Sequence, residues 1–419
     1  MVQPGSISII SMLFILTAIT AGCKKEDGFK HNRDAAIVID RFLPAKGIVG
    51  TEVLVYGSNF SNNKKEVAVT LNGMACELVG VNENNLLFRV PSKAGTGVIN
   101  ISIGGKTGTS STSFEYVWQK KVSTFAGNGT QGFIDKQYGT DAAFYFYDRT
   151  GITADAAGNL YIADCGNHCI RKIDTAGYVT TFSGYAHGEG YLNGPAATAK
   201  YELPTDIDID KAGYLYVADR WNWFVRKIAP DGSVTSFAAI ADPAGIGVDK
   251  ATSNVYVASP SMGKVYQVTP AGAITELPVA FNYPSDVAVD DQGNVLVVDQ
   301  GTHTIEKLAA GTWNKTTIAG TTGVIGFTDG AAGISAFNNP VGITINNGNV
   351  YIADYFNNSI RNVPGSDTYT FLGTSDASYV DGDAAIARFN NPSSITFGKN
   401  GDMYVLDRGN GKIRKVTIE

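Results

Sequence analysis

The chain has 419 residues, a formal net charge of −6 and a charged fraction of 17%. This length favours two domains over one compact core, because single cores stop growing at about 250–300 residues. The basic residues are scattered, which argues against a nucleic-acid partner, since phosphate neutralisation needs clustered Lys and Arg. Alternating apolar runs dominate and helical periodicity is nearly absent, so the pattern predicts an all-β protein.

The N-terminus carries an apolar run at residues 7–19, which is followed by Thr-Ala-Gly and Cys23. The run is too short to span a bilayer, and small residues before a cysteine indicate cleavage. The segment resembles a bacterial lipoprotein signal, which implies that residues 1–22 are removed, that Cys23 is lipidated and that residues 23–36 form a tether. An ordinary signal peptide with an incidental cysteine is the alternative.

The four residues after Cys23 predict where in the cell the protein is located. Lys-Lys-Glu-Asp at residues 24–27 resembles the export signal of surface lipoproteins in some Gram-negative bacteria. A solvated tether is the alternative reading of these four residues. The two resemblances imply an outer-membrane protein that faces the cell exterior, contacts the membrane only through its lipid anchor and has an outer-membrane protein as a candidate partner.

Residues 37–118 have the pattern of a β-sandwich. Val53 and Val55 recur at alternate positions, which is typical of half-buried strands. The stretch 42–60 is similar to the opening of IPT/TIG domains, which have an immunoglobulin-like fold. The resemblance implies a spacer or binding module rather than a catalytic domain.

The rest of the chain contains a six-fold repeat, which is clearest at residues 151–184. Each copy has an alternating apolar run, a Gly-containing turn, a second run that ends in Tyr-x-x-Asp, a short turn, an Ile-Arg-Lys-Ile run and a last strand. Four short strands separated by turn residues predict one propeller blade per copy. A single blade cannot bury both of its faces, so six copies must stack in a ring.

The copies resemble NHL repeats. The resemblance is carried by Asn-Leu-Tyr-Ile-Ala-Asp at 159–164, by Asn167 and by Ile-Arg-Lys at 170–172. It implies a six-bladed β-propeller over residues 120–419, after the immunoglobulin-like sandwich. The sixth copy has only three strands, so we expect residues 120–127 to complete it and to close the ring, which removes two exposed edges.

Residue types that recur at one blade position are interpreted as structural. The Asp that ends the second strand and the Asn three residues later are expected to bond backbone N–H groups and set the turn. The Arg-Lys pairs are expected to carry polar edges and inter-blade pairing. Cys165 and Cys169 flank this turn in the first copy and form a disulfide, two thiols or, with His168, a metal site. Asp206 and Asp286 are expected near the axis, either as solvated carboxylates or, with backbone oxygens, as Ca²⁺ ligands. No other cofactor is expected.

Several aromatic residues do not recur from copy to copy. In a four-stranded meander the inter-blade loops and the turns between the second and third strands emerge on one face, so these rings are predicted to lie at one mouth of the propeller. They are Tyr145, Tyr147, Tyr185, Trp221, Trp223, Tyr355 and Phe356. Aromatic planes suit the C–H faces of sugar rings. Packing of the long loops that enter blades 1, 2, 5 and 6 is the alternative.

These features predict a lipid-anchored cell-surface protein that recognises a glycan or a similar extended polar ligand on the face with the long loops. The alternatives are a lyase or hydrolase at an axial metal or carboxylate site, which the NHL resemblance admits, and a protein–protein scaffold. No acid–base pair, nucleophile motif or ligand cluster stands out in the sequence, so binding is favoured over catalysis.

Overall fold

The computed structural model describes residues 31–136, 138–147 and 149–419. The predicted signal peptide and the predicted lipidation site Cys23 lie outside the described residues. The chain forms two compact units, one of which ends at Trp118 while the other covers Gln119–Ile418. Both are all-β, since the described residues form strands, bridges and short 3-10 turns but no α-helix. Across these described ranges, no helix has the length and apolar character needed to cross a membrane.

The first unit is an immunoglobulin-like sandwich of two sheets. One sheet consists, in spatial order, of Val38–Leu43, Glu52–Ser58, Asn85–Arg89 and Glu77–Val81. The other consists of Lys46–Gly47, Lys106–Tyr116, Gly97–Ile103, Val67–Leu71 and Met74–Ala75. Alternate strand residues, such as Val53 and Val55, are fully buried with Phe88 and Phe114 in one apolar core between the sheets.

The second unit is a six-bladed propeller of antiparallel four-stranded sheets. From the axis outward, blade 1 consists of Ile152–Ala154, Leu160–Asp164, Cys169–Ile173 and Val179–Ser183. Blade 2 consists of Pro204–Ile209, Leu215–Asp219, Phe224–Ile228 and Val234–Ala239, and blade 3 of Gly245–Val248, Val255–Ser259, Lys264–Val268 and Ile274–Glu276.

The remaining blades have the same order. Blade 4 consists of Pro284–Val289, Val295–Asp299, Thr304–Leu308 and Lys315–Ala319, and blade 5 of Pro340–Asn346, Asn349–Asp354, Ser359–Val363 and Asp367–Gly373. Blade 6 consists of Pro392–Phe397, Met403–Asp407, Lys412–Ile418 and Lys120–Ala126. Two short loop strands, Gly330–Ala331 and Gly382–Asp383, pair with the outer edges of blades 5 and 6.

The ring is closed by contacts between the first strands of neighbouring blades and by pairing of the two ends of the propeller unit. The first strand of each blade packs against that of the next, including blade 6 against blade 1. Lys120–Ala126 pairs with Lys412–Ile418, so blade 6 contains strands from both ends of the unit. Apolar side chains of neighbouring blades share clusters, as Leu406 of blade 6 does with Ile162 of blade 1. These clusters remove both faces of each blade from water.

A short turn follows the second strand of each blade. In four blades it is a 3-10 turn, at Cys165–Asn167, Arg220–Asn222, Tyr355–Asn357 and Arg408–Asn410. The residue after the turn has a left-handed backbone, with φ of 57° at His168 and 60° at Trp223. This conformation favours Gly, Asn and His, which occupy the position in every blade except blade 2.

Candidate functional site

The long inter-blade loops are held by a buried arginine in the third strand of blades 1, 2, 5 and 6. In blade 1, Arg171 is fully buried and donates to Asp164 Oδ2 at 2.8 Å and to Asp135 Oδ1 of the loop at 2.6 Å. Its Cζ lies 4.6 and 4.9 Å from the ring centroids of Phe133 and Phe144, which belong to the same loop. The equivalent arginines, each also in contact with two rings, are Arg226, Arg361 and Arg414.

These contacts correct two expectations about the repeat. The prediction that the Arg-Lys pairs carry polar edges is wrong for the arginines, because loop carbonyls and carboxylates surround each guanidinium. The Asp does not bond the backbone of the turn that follows it. Instead, Asp164 Oδ1 accepts the backbone N–H of Tyr145 in the preceding loop at 2.8 Å, and Oδ2 accepts from the Asn167 side chain. The recurring Asp, Asn and Arg form one buried network that fixes each long loop to its blade.

A cavity of about 620 Å³ lies at the mouth of the propeller. Its wall is formed by the first or second residues of the turns after the second strands and by residues of the inter-blade loops. The turn residues are Cys165, Arg220, Trp221, Gln300, Tyr355, Phe356 and Arg408, and the loop residues are Tyr147, Arg149, Leu203, Tyr283, Asn339 and Asn391. The repeated turn therefore brings together side chains that differ from blade to blade.

Four of the predicted aromatic residues line this cavity: Tyr147, Trp221, Tyr355 and Phe356. Trp221 and Phe356 have the same turn position in blades 2 and 5, which are opposite blades of a six-membered ring, and they are 63% and 53% exposed. Tyr355 is buried and makes an edge-to-face contact with Phe356 at 5.1 Å. Trp221 and Trp223 do not form the core of a long loop, because 63% and 64% of their surfaces are exposed.

Tyr145 and Tyr185 are not among the residues that line the cavity. Tyr145 covers Gly166, where an added Cβ would lie 2.5 Å from the tyrosine ring, and it stacks on Tyr147 at 5.2 Å. Tyr185 lies against Gly188 of its own loop, where an added Cβ would also meet the ring at 2.5 Å. Both side chains pack within the loops.

Trp223 also lies outside the cavity lining, and it replaces a residue that links neighbouring blades. At the same position, His168 Nδ1 accepts the backbone N–H of Leu203, and His303 Nδ1 accepts that of Asn339, both at 3.2 Å. Burial lowers the pKa of both imidazoles, which favours the neutral form that can accept. An indole has no acceptor. The blade therefore does not require a tryptophan at position 223.

The sequence-based prediction missed the polar residues of the cavity, which include Arg149, Arg220, Gln300 and Arg408. Arg149 Nη2 donates to Gln300 Oε1 at 2.7 Å, and its Cζ lies 4.7 Å from the Tyr283 ring centroid. Arg220 Nε donates to Asp242 Oδ1 at 2.5 Å. The first position of the turn is Cys, Arg, Pro, Gln, Tyr and Arg in the successive blades. This variation at one position of an otherwise regular turn could have identified three of the four residues, namely Arg220, Gln300 and Arg408.

Asp206 and Asp286 line the axial channel. Asp206 Oδ2 accepts the backbone N–H of Ile246 at 2.7 Å, and Asp286 Oδ2 accepts that of Ile343 at 2.9 Å. Burial raises the pKa of Asp206 to about 7, and burial together with the nearby charge of Asp206 raises the pKa of Asp286 well above its usual range. Among the described residues, no three His, Cys, Asp or Glu side chains are grouped as metal ligands.

Cys165 and Cys169 are buried thiols and do not form a disulfide. Cys165 lines the mouth cavity, whereas Cys169 lies in the third strand. Burial raises the pKa of Cys169 well above its ordinary value, so this thiol stays protonated. Of the alternatives that the sequence leaves open for this pair, the structure contains the two thiols.

Family comparisons agree with both units. Residues 38–116 match the model of the IPT/TIG domain, and residues 150–173, 281–308 and 337–361 match that of the NHL repeat. Protein SUPPRESSOR OF QUENCHING 1, chloroplastic, from Arabidopsis thaliana is 24% identical over 318 residues, which cover 71% of this chain. The matched region spans only 27% of the length of that protein.

Two solved structures share the fold of the whole chain. An auxiliary nutrient binding protein from Bacteroides ovatus is 22% identical, with a TM-score of 0.65 over 93% of this chain and 100% of its own. A second auxiliary nutrient binding protein, from Bacteroides thetaiotaomicron, is 22% identical, with a TM-score of 0.61 over 94% of this chain and 99% of its own. Both likenesses concern the fold alone.

Proposed function

We propose that this chain, which carries an IPT/TIG domain followed by an NHL-repeat propeller, binds a glycan or a similar extended polar ligand in the cavity at the propeller mouth. The proposal includes a lipid anchor at Cys23 and a position on the outer membrane that faces the cell exterior, which the residues around Cys23 support. The two Bacteroides proteins of similar fold are auxiliary nutrient binding proteins, which supports a binding role.

The observation that carries the proposal is the pair of exposed rings on opposite sides of a cavity that also has amide and guanidinium groups in its wall. Trp221 and Phe356 belong to opposite blades, and the amides of Gln300, Asn339 and Asn391 lie in the wall between them. A sugar ring has apolar C–H faces and a polar hydroxyl edge. Aromatic planes bind the faces, and amide groups can donate to and accept from the hydroxyls.

The exposure of these rings separates a ligand role from a structural one. Trp221 is 63% exposed and Phe356 is 53% exposed, so neither contributes much buried apolar area to the fold. The same turn position is Gly in blades 1, 4 and 6. Large exposed rings at a position where the repeat tolerates glycine are typical of a binding surface. Trp223, two residues from Trp221, extends this surface beyond the cavity for a ligand longer than the cavity.

The test is a glycan-array screen, followed by calorimetric titration of the glycan that binds. Trp221→Ala and Phe356→Ala are each expected to cost about 1–3 kcal/mol of binding free energy, which is the range of interface hot spots. Their melting temperatures are expected to change little, because exposed substitutions usually alter stability by less than about 0.5 kcal/mol.

Tyr185→Ala is the matched control. This ring is 42% exposed on a long loop, outside the cavity lining. Its removal is expected to leave the affinity unchanged. Equal losses in all three variants, or variants of Trp221 and Phe356 that unfold before any ligand is added, would contradict the proposed site.

A further inference from the structure

Arg149 is a half-buried guanidinium in the wall of the mouth cavity. Nη2 donates to Gln300 Oε1 at 2.7 Å, and Cζ lies 4.7 Å from the Tyr283 ring centroid, so the group is positioned from two sides. The other terminal nitrogen, Nη1, is buried and has no acceptor among the described residues. A buried donor that has no acceptor has lost its hydrogen bonds to water and has gained none within the protein, which is unfavourable.

Three arginines, Arg149, Arg220 and Arg408, line the cavity. The carboxylate of Asp242 already accepts hydrogen bonds from Arg220 Nε at 2.5 Å and from the backbone N–H of Ser261 at 2.9 Å. Burial lowers the pKa of Arg149, and the charge of Arg220 acts in the same direction. An anion in the cavity would offset both the burial of the Arg149 charge and its repulsion by Arg220.

We propose that Arg149 binds an anionic group of the ligand, a carboxylate or a sulfate ester, so that the recognised glycan is an acidic one. This inference rests on the proposed function, because it assigns a charge to the ligand of the same cavity. The two Nη1 protons and the second Nη2 proton are the donors, and a planar guanidinium suits two-oxygen anions. Gln300 holds the guanidinium in place through its Oε1, and Trp221 and Phe356 bind the sugar rings.

The experiment compares three tetrasaccharides by calorimetric titration with the whole chain. Tetragalacturonate carries carboxylates, a κ-carrageenan tetrasaccharide carries sulfate esters, and cellotetraose is neutral. One charged probe is expected to bind at least about 30-fold more tightly than cellotetraose, which corresponds to the smaller cost of removing one partner of a buried charge pair. Which charged probe binds distinguishes the carboxylate from the sulfate.

Two variants test the residue itself. Arg149→Gln is expected to remove the preference for the charged probe over cellotetraose. Gln300→Glu retains Arg149 and places a carboxylate beside it. This internal anion is expected to compete with the ligand and to weaken the charged probe by a similar factor, in a variant that keeps the size of the side chain.

Arg41→Gln is the control, since Arg41 also lies over a tyrosine ring, that of Tyr56 at 4.5 Å, but in the sandwich. It is expected to bind all probes as the parent does. A parent protein that binds cellotetraose as tightly as the charged probes overturns the anion inference, while a loss in Trp221→Ala would still support the glycan site. A charge preference that survives in Arg149→Gln overturns the role of Arg149. Failure of all three probes overturns both proposals.

Discussion

Blades 1, 2, 5 and 6 differ from blades 3 and 4 at one residue of the third strand and in the loop that precedes the blade. The first group follows long loops and has a buried arginine at this residue, as Arg171 in blade 1. Blade 3 has Tyr266 and blade 4 has Glu306 there, and both follow short connections. Glu306 accepts from Thr304 and Thr317 of its own blade. Because all six blades have the same four strands, the arginine is needed for the loop and not for the blade.

The long loops also cover the outer edge of the blade that they enter. Each has one or two residues paired with the fourth strand, namely Lys136 with Val179, Gly194 with Val234, Gly330 with Thr368 and Gly382 with Val122. In the described residues, the fourth strands of blades 3 and 4, Ile274–Glu276 and Lys315–Ala319, have no such pairing. A long loop therefore builds the cavity wall at one end and protects a strand edge at the other.

The two kinds of blade meet at two junctions, and an aspartate of the axial channel lies at each. Asp206 of blade 2 accepts the backbone N–H of Ile246 in blade 3, and Asp286 of blade 4 accepts that of Ile343 in blade 5. The nearby charge of Asp206 adds to burial in raising the pKa of Asp286. The part of the ring without long loops is thus connected to the rest through two carboxyl groups with raised pKa values.

Removal of one buried arginine is expected to have the largest effect on stability. Arg361→Met removes a charged donor from Asp354 and from two loop carbonyls, and breaking a buried ion pair costs about 3–5 kcal/mol. We expect the free energy of unfolding, measured by urea denaturation, to fall by this amount. The loop at residues 320–339 is expected to become sensitive to limited proteolysis.

Tyr266→Met is the matched control, because it changes the same blade position in a blade with a short connection. Tyr266 is half-buried and packs against the cluster between blades 2 and 3, so we expect a loss below about 2 kcal/mol and no new cleavage site. If both variants lose the same stability, or if the loop of the Arg361 variant stays protected, the arginine does not hold the loop.

The carboxyl pair predicts a smaller effect that depends on pH. The pKa of Asp206 is about 7 in the folded chain and 3.8 as an ordinary side chain, so the folded state keeps a proton that the unfolded state releases. The contribution of this raised pKa to the free energy of unfolding is fully present below about pH 4. About 1–3 kcal/mol of it is lost as the pH rises to 7. Asp206→Asn removes the titration and keeps an acceptor for Ile246.

The measurement is the difference in unfolding free energy between the parent and Asp206→Asn at pH 5 and at pH 8. Carboxylates that are remote from Asp206 are the same in both proteins, so their contributions cancel in this difference. We expect the parent to lose more stability than the variant between these two values. A difference that does not change with pH would contradict the raised pKa of Asp206.

The fold is predictable from the sequence because its signals are local. Alternation in the strands and turn residues at fixed spacing define the sandwich and the repeated blade without any long-range information. The burial of Arg171 is not predictable in this way, since it alternates with Lys172 along an ordinary strand. Its acceptors, Ile134 O and Asp135, lie 37 and 36 residues earlier, in a loop that has no repeat register.

The candidate site was predictable to a similar extent. The rings of Trp221 and Phe356 can be found because they break the repeat at a turn whose place in the fold is known. Arg149 lies in a loop, and its partner Gln300 is 151 residues away, so only the closed ring brings the two together. Local sequence patterns therefore find the aromatic part of the cavity and miss its charge.

The smallest expected effect concerns Trp223, at the junction between the long-loop blade 2 and the short-loop blade 3. Its backbone φ is 60°, which is costly for a bulky side chain but acceptable for histidine. Asp242 has φ of 48°, close to the 49° of Leu203 that donates to His168 in the preceding junction. Trp223→His is therefore expected to restore the link between blades and to raise stability by about 0.5–1 kcal/mol, the usual net value of one hydrogen bond.

The measurement is the urea midpoint of Trp223→His against that of Trp223→Ala, which removes the indole without supplying an acceptor. A gain that is specific to histidine means that the tryptophan was retained at a cost to stability. In that case the same variant is expected to weaken binding of glycans long enough to leave the cavity, and not of short ones, because Trp223 does not line the cavity. If Trp223→His and Trp223→Ala have the same urea midpoint, a side chain at position 223 forms no hydrogen bond to blade 3. The tryptophan has then not replaced such a link.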